Sequence, residues 1–555
     1  MIPLAEGQAR LRSRLTYTGV DVIEGHGGEL ALAALQQHGV GELFTLSGGH
    51  IFPFFDAAVK QGVRIVDVRH EQTATFAAEG MAKLTRRAAV AVLTAGPGVT
   101  NGMSAIATAS FNGSPVVVLA GRAGQQRWGA GALQEIDHVP FVAPLVKHAA
   151  TVTDPSAIAA DVNAAVVTAQ SPHRGPVFLD FPIDVVYASG KSELPDPTMP
   201  PRLEPDRDAV NRVAQIIAAA QRPALVVGSD VYWARGEQAL RAAAEALRIP
   251  VFMNGMGRGL LPPDHELAFN RTRGLLKDEA DAVIVAGTPL DFRLRFGSYG
   301  AAKVVHLVDA PEQVAGHTVP EVTVVGDLAR TLELLAERHA DHQEWIERLR
   351  DIEQAGRRAD RELLDSAREP IHPARIYGEV LKRLDKDAIV VCDGGDFASY
   401  AGKFVDVHQP GGWLDTGPYG CLGSGPGHAI AARVAHPDRQ IVMFMGDGAF
   451  GFAGLDFDTM VRHNLPVVAV IGNNGIWGLE KHPMKAIYGY DVAADLQPGC
   501  RYDKVVEALG GGGEMVTRPD DIGQALDRAF KAGVPYVVNV VTDPAIAYPR
   551  SSNLG

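Results

Sequence analysis

The sequence predicts an α/β protein of three domains, each a parallel sheet flanked by helices. Three observations carry this. The chain has 555 residues, enough for about three domains. Short apolar runs rich in Val and Ile alternate with longer helical patterns throughout, the signature of parallel α/β sheets. Two stretches then read as linkers: Lys191–Asp206, rich in Pro and polar residues, and Asp341–Pro373, a charged helical segment ending in Glu-Pro-Ile-His-Pro. Cuts near 190 and 365 give domains over 1–190, 191–365 and 366–555. The strand candidates of the first are Leu43–Leu46, Arg64–Val68, Ala89–Thr94, Val116–Ala120 and Val177–Phe181. Those of the second are Ala224–Val227, Ala282–Ala286, Val304–Val308 and Val322–Val325. Ile389–Cys392, Ile441–Met445, Val467–Ile471 and Tyr536–Val541 follow in the third. Unbroken apolar runs suit strands buried on both faces. The outer domains share a size and strand rhythm without any residue-level repeat.

Composition excludes several function classes. A formal charge of -13 argues against a nucleic-acid-coating surface, which needs a basic face. It leaves room for a local basic pocket that takes an acidic substrate. Cys392, Cys421 and Cys500 are too few and too scattered for a disulfide framework or a zinc site. No apolar stretch is long enough to span a membrane. The N-terminal segment, with Arg10, Arg12 and Arg14, lacks the apolar run of a secretory signal. The cytoplasm is the expected compartment.

The most informative run is Met445-Gly446-Asp447-Gly448-Ala449-Phe450, with twenty-four residues between its Gly448 and the run Asn473-Asn474-Gly475. Each motif directly follows an apolar strand. Neighbouring parallel strands end along one edge of a sheet, where ligands bind, so Asp447 and Asn474 are expected to face one ion. A carboxylate, an amide oxygen and a main-chain carbonyl are hard oxygen ligands suited to magnesium, with a diphosphate completing the shell. Glycines let the backbone approach phosphates, and a helix N-terminus supplies donors. Asp-Gly and Asn-Gly are also ordinary turn formers; it is the pair, each after a strand, that points to a cofactor.

This pair resembles the diphosphate-binding motif of thiamine-diphosphate enzymes, in the group of acetolactate synthases, 2-hydroxyacyl-CoA lyases and oxalyl-CoA decarboxylases. The likeness runs over nearly the whole chain as pyrimidine-binding, middle and diphosphate-binding domains. It implies that Asp447, Asn474 and the carbonyl of Ile476 hold Mg2+, with Gly446 and Gly448 at the diphosphate. A second motif, Arg69-His70-Glu71-Gln72-Thr73-Ala74, follows a strand and opens a helix. A carboxylate there is ordinarily only stabilised by the helix dipole. The resemblance gives Glu71 a further role, hydrogen-bonding the cofactor pyrimidine so that its imino form removes the thiazolium C2 proton. In the family this glutamate comes from a neighbouring subunit, which implies a homodimer or homotetramer. The strand exits Ser47-Gly48-Gly49-His50 and Ala95-Gly96-Pro97-Gly98 resemble further walls of the cleft. Leu422, within Gly417–Gly427, matches the apolar residue that props the cofactor into its bent shape.

The family divides by reaction. Acetolactate synthases condense two 2-oxoacids and carry FAD in the middle domain; the lyases cleave 2-hydroxyacyl-CoA to formyl-CoA plus an aldehyde or ketone, with ADP or CoA expected there. Pro182-Ile183-Asp184 departs from the synthase pattern, and Asn112-Gly113-Ser114-Pro115, Met256-Gly257-Arg258-Gly259 and Leu290–Gly297 resemble the lyases. The synthase Gln-Trp pair after the second metal motif is absent. Leu133-Gln134-Glu135 and Arg293 match the synthase instead, and Gln134 is a catalytic candidate on that match. Glu480, in Asn473–Lys481, stands where thiamine-dependent decarboxylases keep a proton-handling glutamate, and a shielded carboxyl there suits a general acid or base. The alternative for Glu480 is an exposed helical residue paired with Lys481 or Lys485. His50, Asn112, Arg293 and Arg550, the last in a tail resembling the lyases' Arg-Ser-Asn end, are the substrate candidates. The expected reaction is that of a 2-hydroxyacyl-CoA lyase, with the acetolactate synthase catalytic subunit as the alternative and a non-catalytic regulatory relative as a remote one.

Overall fold

The computed structural model describes residues 22–549. Three six-stranded parallel sheets follow one another along the chain. The first contains, in spatial order, Arg64–Asp67, Glu42–Thr45, Ala89–Leu93, Val116–Arg122, Val177–Pro182 and His148–Thr151. The third runs Trp413–Leu414, Ile389–Asp393, Ile441–Gly446, Val468–Asn473, Tyr536–Val541 and Gly512–Val516. Numbered along the chain within each sheet, both have the order 2-1-3-4-6-5. The shared rhythm of the two outer domains is thus a shared topology. The middle sheet runs Ala268–Phe269, Val251–Met253, Pro223–Val227, Ala282–Ala286, Lys303–Val308 and Val322–Val325, the 3-2-1-4-5-6 order of a dinucleotide-binding sheet.

Every expected strand is present, and the strands missed explain themselves. Ala89–Leu93, Pro223–Val227 and Ala282–Ala286 are buried at every position, so their sequence is uniformly apolar. Gly512–Val516 and His148–Thr151 lie at sheet edges, half-buried, and carry glycine, polar or small residues. Val251–Met253, Ala268–Phe269 and Trp413–Leu414 are too short to register as runs. Ser189–Glu193 pairs antiparallel with Val22–His26, so the first three residues of the expected linker Lys191–Asp206 are strand. The charged segment Asp341–Pro373 is helical over Gln343–Leu364.

The first and third domains pack through the helices Glu71–Thr85 and Ser424–Ala435. Small residues permit close approach. A Cβ on Gly427 would lie 2.6 Å from Phe76 Cβ, and one on Gly80 would lie 3.0 Å from Ala431 Cβ. Among the described residues no helix is long and apolar enough to cross a membrane.

Candidate active site

In an open parallel sheet the ligand edge is sharpest where neighbouring strands send their connections to opposite faces. In the third domain that point lies between Ile389–Asp393 and Ile441–Gly446. A cleft of about 500 Å3 opens there, lined by Gly394, Gly395, Leu422, Gly446, Asp447, Gly448, Asn474, Ile476 and Glu480, with Arg258, Phe292 and Arg293 from the middle domain. Val468–Asn473 pairs with Ile441–Gly446 so that Gly472 faces Gly446. That register is why Asp447 and Asn474 meet despite their separation in sequence. Asp447 is 3% exposed and accepts N–H bonds from Gly475 (2.7 Å) and Gly448 (3.0 Å). Burial nonetheless pushes its carboxyl up to about 6, so the site would gain from a bound cation. Asn474 Oδ1 accepts from Ile476 N at 3.1 Å.

The residues fit a magnesium diphosphate. The donor set is oxygen throughout, and a Cβ on Gly395 or Gly420 would meet nothing within 4 Å, which leaves bare backbone towards the cleft. Leu422 is pinned from two sides. Asp393, fully buried, accepts from Gly423 N (3.1 Å) and Gly425 N (2.8 Å), while Gln72 Nε2 donates to Leu422 O at 3.0 Å. Burial raises the Asp393 carboxyl to about 7. Arg258 packs 4.6 Å from the centre of the Trp413 ring and donates to Gly402 O.

The first-domain candidates gather elsewhere, at the equivalent point of their own sheet, between Glu42–Thr45 and Ala89–Leu93. Glu71 begins its helix 6% exposed, and its Oε2 accepts from Asn101 Nδ2 at 3.0 Å. Gly48 lies against Thr94, where a Cβ would sit 2.2 Å from Thr94 Oγ1. Gly96 packs on Gln134, itself in the left-handed region at φ 59°. Gly96 N donates to His138 Nε2 (3.0 Å), so the His138 proton sits on Nδ1, 2.8 Å from Asp180 Oδ2. His50 is buried beside Gly121, its imidazole pushed down by burial, and Gly49 O accepts from the Tyr187 hydroxyl at 2.8 Å. Among the described residues, none of this group lines the cleft that holds Asp447.

The remaining candidates divide. Arg293 lines the cleft and grips Asp291 through Nε and Nη2 at 2.7–3.1 Å. Glu480 lines it too, but in this chain it is exposed rather than shielded, because its helix Gly478–Tyr488 has no buried residue. The alternative pairing is not formed either: Lys481 and Lys485 engage Asp491, and Lys481 also Asp495. Asn112 turns to Glu79 Oε1 at 2.7 Å. Arg550 lies outside the described residues. Sequence reasoning missed Asn101, His138 and Asp393, and read Arg258 only within a reaction-type segment, because their placement arises from contacts between separate segments.

At the middle sheet's own reversal point, between Pro223–Val227 and Ala282–Ala286, lies a second cavity of about 640 Å3. Ser229, Asp230, Gly287 and Thr288 line it from the strand ends, and Lys147, His173 and Arg174 from the first domain. His173 Nδ1 stands 3.4 Å from Asp230 and 3.3 Å from Asp309, and those carboxylates raise its imidazole to about 10 against the opposing effect of burial.

Comparison with known proteins agrees with this geometry. The family models for the N-terminal TPP binding domain, the central domain and the C-terminal TPP binding domain of thiamine pyrophosphate enzymes match residues 25–141, 210–335 and 393–540. The acetolactate synthase large subunit IlvG of Mycobacterium tuberculosis is 51% identical over 541 residues, covering 95% of this chain and 98% of that protein. The 2-hydroxyacyl-CoA lyase 2 of Homo sapiens is 34% identical over 573 residues, covering 93% and 90%; that of Bos taurus is 35% identical over 570, again covering 93% and 90%. With all three domains matched and relatives covered nearly end to end, the chain belongs to the thiamine pyrophosphate enzymes.

Proposed function

We propose that this enzyme condenses two 2-oxoacids, the reaction type of an acetolactate synthase catalytic subunit. This replaces the lyase expected from short motifs, because half of all residues agree with the named synthase over nearly the full length of both chains. The observation that carries the reading is the placement of Arg293 and Arg258 in the same cleft as Asp447 and Asn474. Guanidinium groups there suit the carboxylate of a 2-oxoacid. Bound thiamine diphosphate supplies a carbon nucleophile for the carbonyl and holds the electron pair released when the neighbouring carbon–carbon bond breaks.

In this reading Asp447, Asn474 and the Ile476 carbonyl ligate Mg2+, and the Gly446 and Gly448 backbone meets the diphosphate. Leu422 supports the bent cofactor. Glu71 lies outside its own chain's cleft, which supports its acting in a second subunit's site, with Gly48, Gly49, His50, Gly96 and Gln134 forming the wall around it. The site is then completed only in a homodimer or homotetramer. The cavity at the middle sheet's reversal point has the topology and size for FAD, or for ADP or CoA. A cytoplasmic location is part of the proposal.

Glu480 at the cleft favours the second reading, a 2-hydroxyacyl-CoA lyase, in which it takes the substrate's hydroxyl proton. One experiment separates the two. Purified enzyme is given pyruvate in one tube, and formyl-CoA with a ketone or aldehyde in another, and products are read by mass spectrometry. A condensed 2-hydroxy-2-methyl-3-oxoacid with release of carbon dioxide supports the synthase; a 2-hydroxyacyl-CoA in the second tube alone overturns it.

A further inference from the structure

Helix Glu71–Thr85 carries a second glutamate that the cofactor chemistry does not use. Glu79 is fully buried where this helix crosses Ser424–Ala435. A lone carboxylate there would be costly, so it must be paired and hydrogen-bonded. Its partners are four residues from three segments. Lys83 Nζ lies 2.8 Å from Oε1, Asn112 Nδ2 2.7 Å and Ser114 Oγ 3.1 Å from the same oxygen, and His428 Nε2 lies 3.0 Å from Oε2. Lys83 and His428 are themselves buried. Against burial, which opposes the charge, Lys83 and His428 hold the carboxyl well below the usual carboxylate range.

The direction in which these partners point matters more than their number. Lys83 Nζ continues to Asp415 O at 3.4 Å. Asn112 Oδ1 presses on Gly417, where a Cβ would lie 1.7 Å from it. His428 stands on the helix that the same loop enters. Three of the four partners therefore lead to one segment, from Asp415 to the start of that helix, and Asp415, Gly417 and Leu422 line the cofactor cleft. Within the segment Asp415 passes the constraint on, accepting from Trp413 Nε1 (2.8 Å) and Gly417 N (3.1 Å).

We propose that Glu79 is a positioning residue: it aims Lys83 and Asn112 so that the first domain of the chain braces the Asp415–Leu422 loop of its own cofactor cleft. Asn112, a substrate candidate on sequence, acts here through the loop and not on substrate. A bare stabilising ion pair would need neither the bond to Asp415 O nor the contact with Gly417. The inference rests on the cleft being the cofactor site, and it holds for a synthase or a lyase alike.

The test uses the full-length enzyme. Asn112→Ala leaves the Glu79–Lys83 pair in place and removes the contact with Gly417. The double variant Glu79→Gln with Lys83→Met removes the pair without stranding a charge. Amide hydrogen exchange is followed by mass spectrometry on apoprotein, and thiamine diphosphate affinity by titration at fixed magnesium. The expected result for Asn112→Ala is exchange over residues 415–425 faster by about tenfold, with the same factor lost in affinity. Exchange over Val468–Asn473 should be unchanged, a split that a global loss of stability would not give. The double variant should show the larger effect on both readouts, and a wild-type loop in it overturns the role of Glu79; if it does not fold, Glu79→Gln alone is read in its place by the same criterion. Wild-type loop exchange in folded Asn112→Ala, or acceleration spread evenly over the third domain, overturns the proposal. Because exchange is read without substrate or cofactor, failure to make the condensed product would leave this result standing.

Discussion

Replacing Asp447 with Asn separates what this residue does for the fold from what it does for the cofactor. In the apoprotein two effects oppose each other. The carboxylate accepts from Gly475 N (2.7 Å) and Gly448 N (3.0 Å), and an amide offers only one oxygen. One buried N–H then faces an NH2 group, at a cost of about 1–3 kcal/mol. Against this, burial disfavours the Asp447 charge enough to raise its pKa to about 6, and a neutral amide avoids that penalty. The apoprotein should therefore melt within a few degrees of wild type. The holoenzyme has no such offset. Removing the anionic partner of a buried cation typically costs about 3–5 kcal/mol, or roughly 200- to 5000-fold in affinity. Calorimetric titration with thiamine diphosphate and magnesium, beside thermal melts with and without both, reads the two quantities independently. An affinity within about threefold of wild type would remove Asp447 from the metal site. A variant unfolded as apoprotein would show that the hydrogen bonds outweigh the buried charge.

Three further outcomes follow from the geometry. Glu71→Gln keeps an acceptor for Asn101 but cannot hold the pyrimidine proton, so cofactor should bind while C2 proton exchange, followed by quenched-flow NMR, slows by about a hundredfold or more; a wild-type rate removes Glu71 from the mechanism. Glu480→Gln should lower turnover on a 2-hydroxyacyl-CoA by about a hundredfold if the enzyme is a lyase, and leave pyruvate condensation nearly unchanged if it is a synthase; steady-state kinetics on both substrates decides. Asp393, buried with a carboxyl raised to about 7, is ionised in the unfolded chain before it is in the native one. Its contribution to apoprotein stability should thus fall as pH rises from about 4 to about 7 and level off above, a slope that chemical denaturation finds in wild type and not in Asp393→Asn.

Legibility followed burial and locality. Strands inside the sheets are mostly apolar and could be read directly, whereas edge strands such as Gly512–Val516 carry no such pattern. The Asp447 and Asn474 motifs could be read because each sits at the end of its own strand. Glu480 shows where that reasoning stops: its position in the motif was legible, but its exposure depends on how helix Gly478–Tyr488 lies against the rest of the chain. Asn112 shows the same limit, since its partner Glu79 lies thirty-three residues away on another helix.

The sequence by itself determined the α/β class, most strands of the sheet interiors and the thiamine-diphosphate family. Each of these is written in short stretches whose chemistry depends on near neighbours. Only the tertiary structure decided that the outer sheets share one strand order, that Asp447 is buried, and that Glu71 stands apart from the cleft of its own chain. Register and the placement of one domain against another are set by packing among segments from tens to hundreds of residues apart, and no local pattern encodes them.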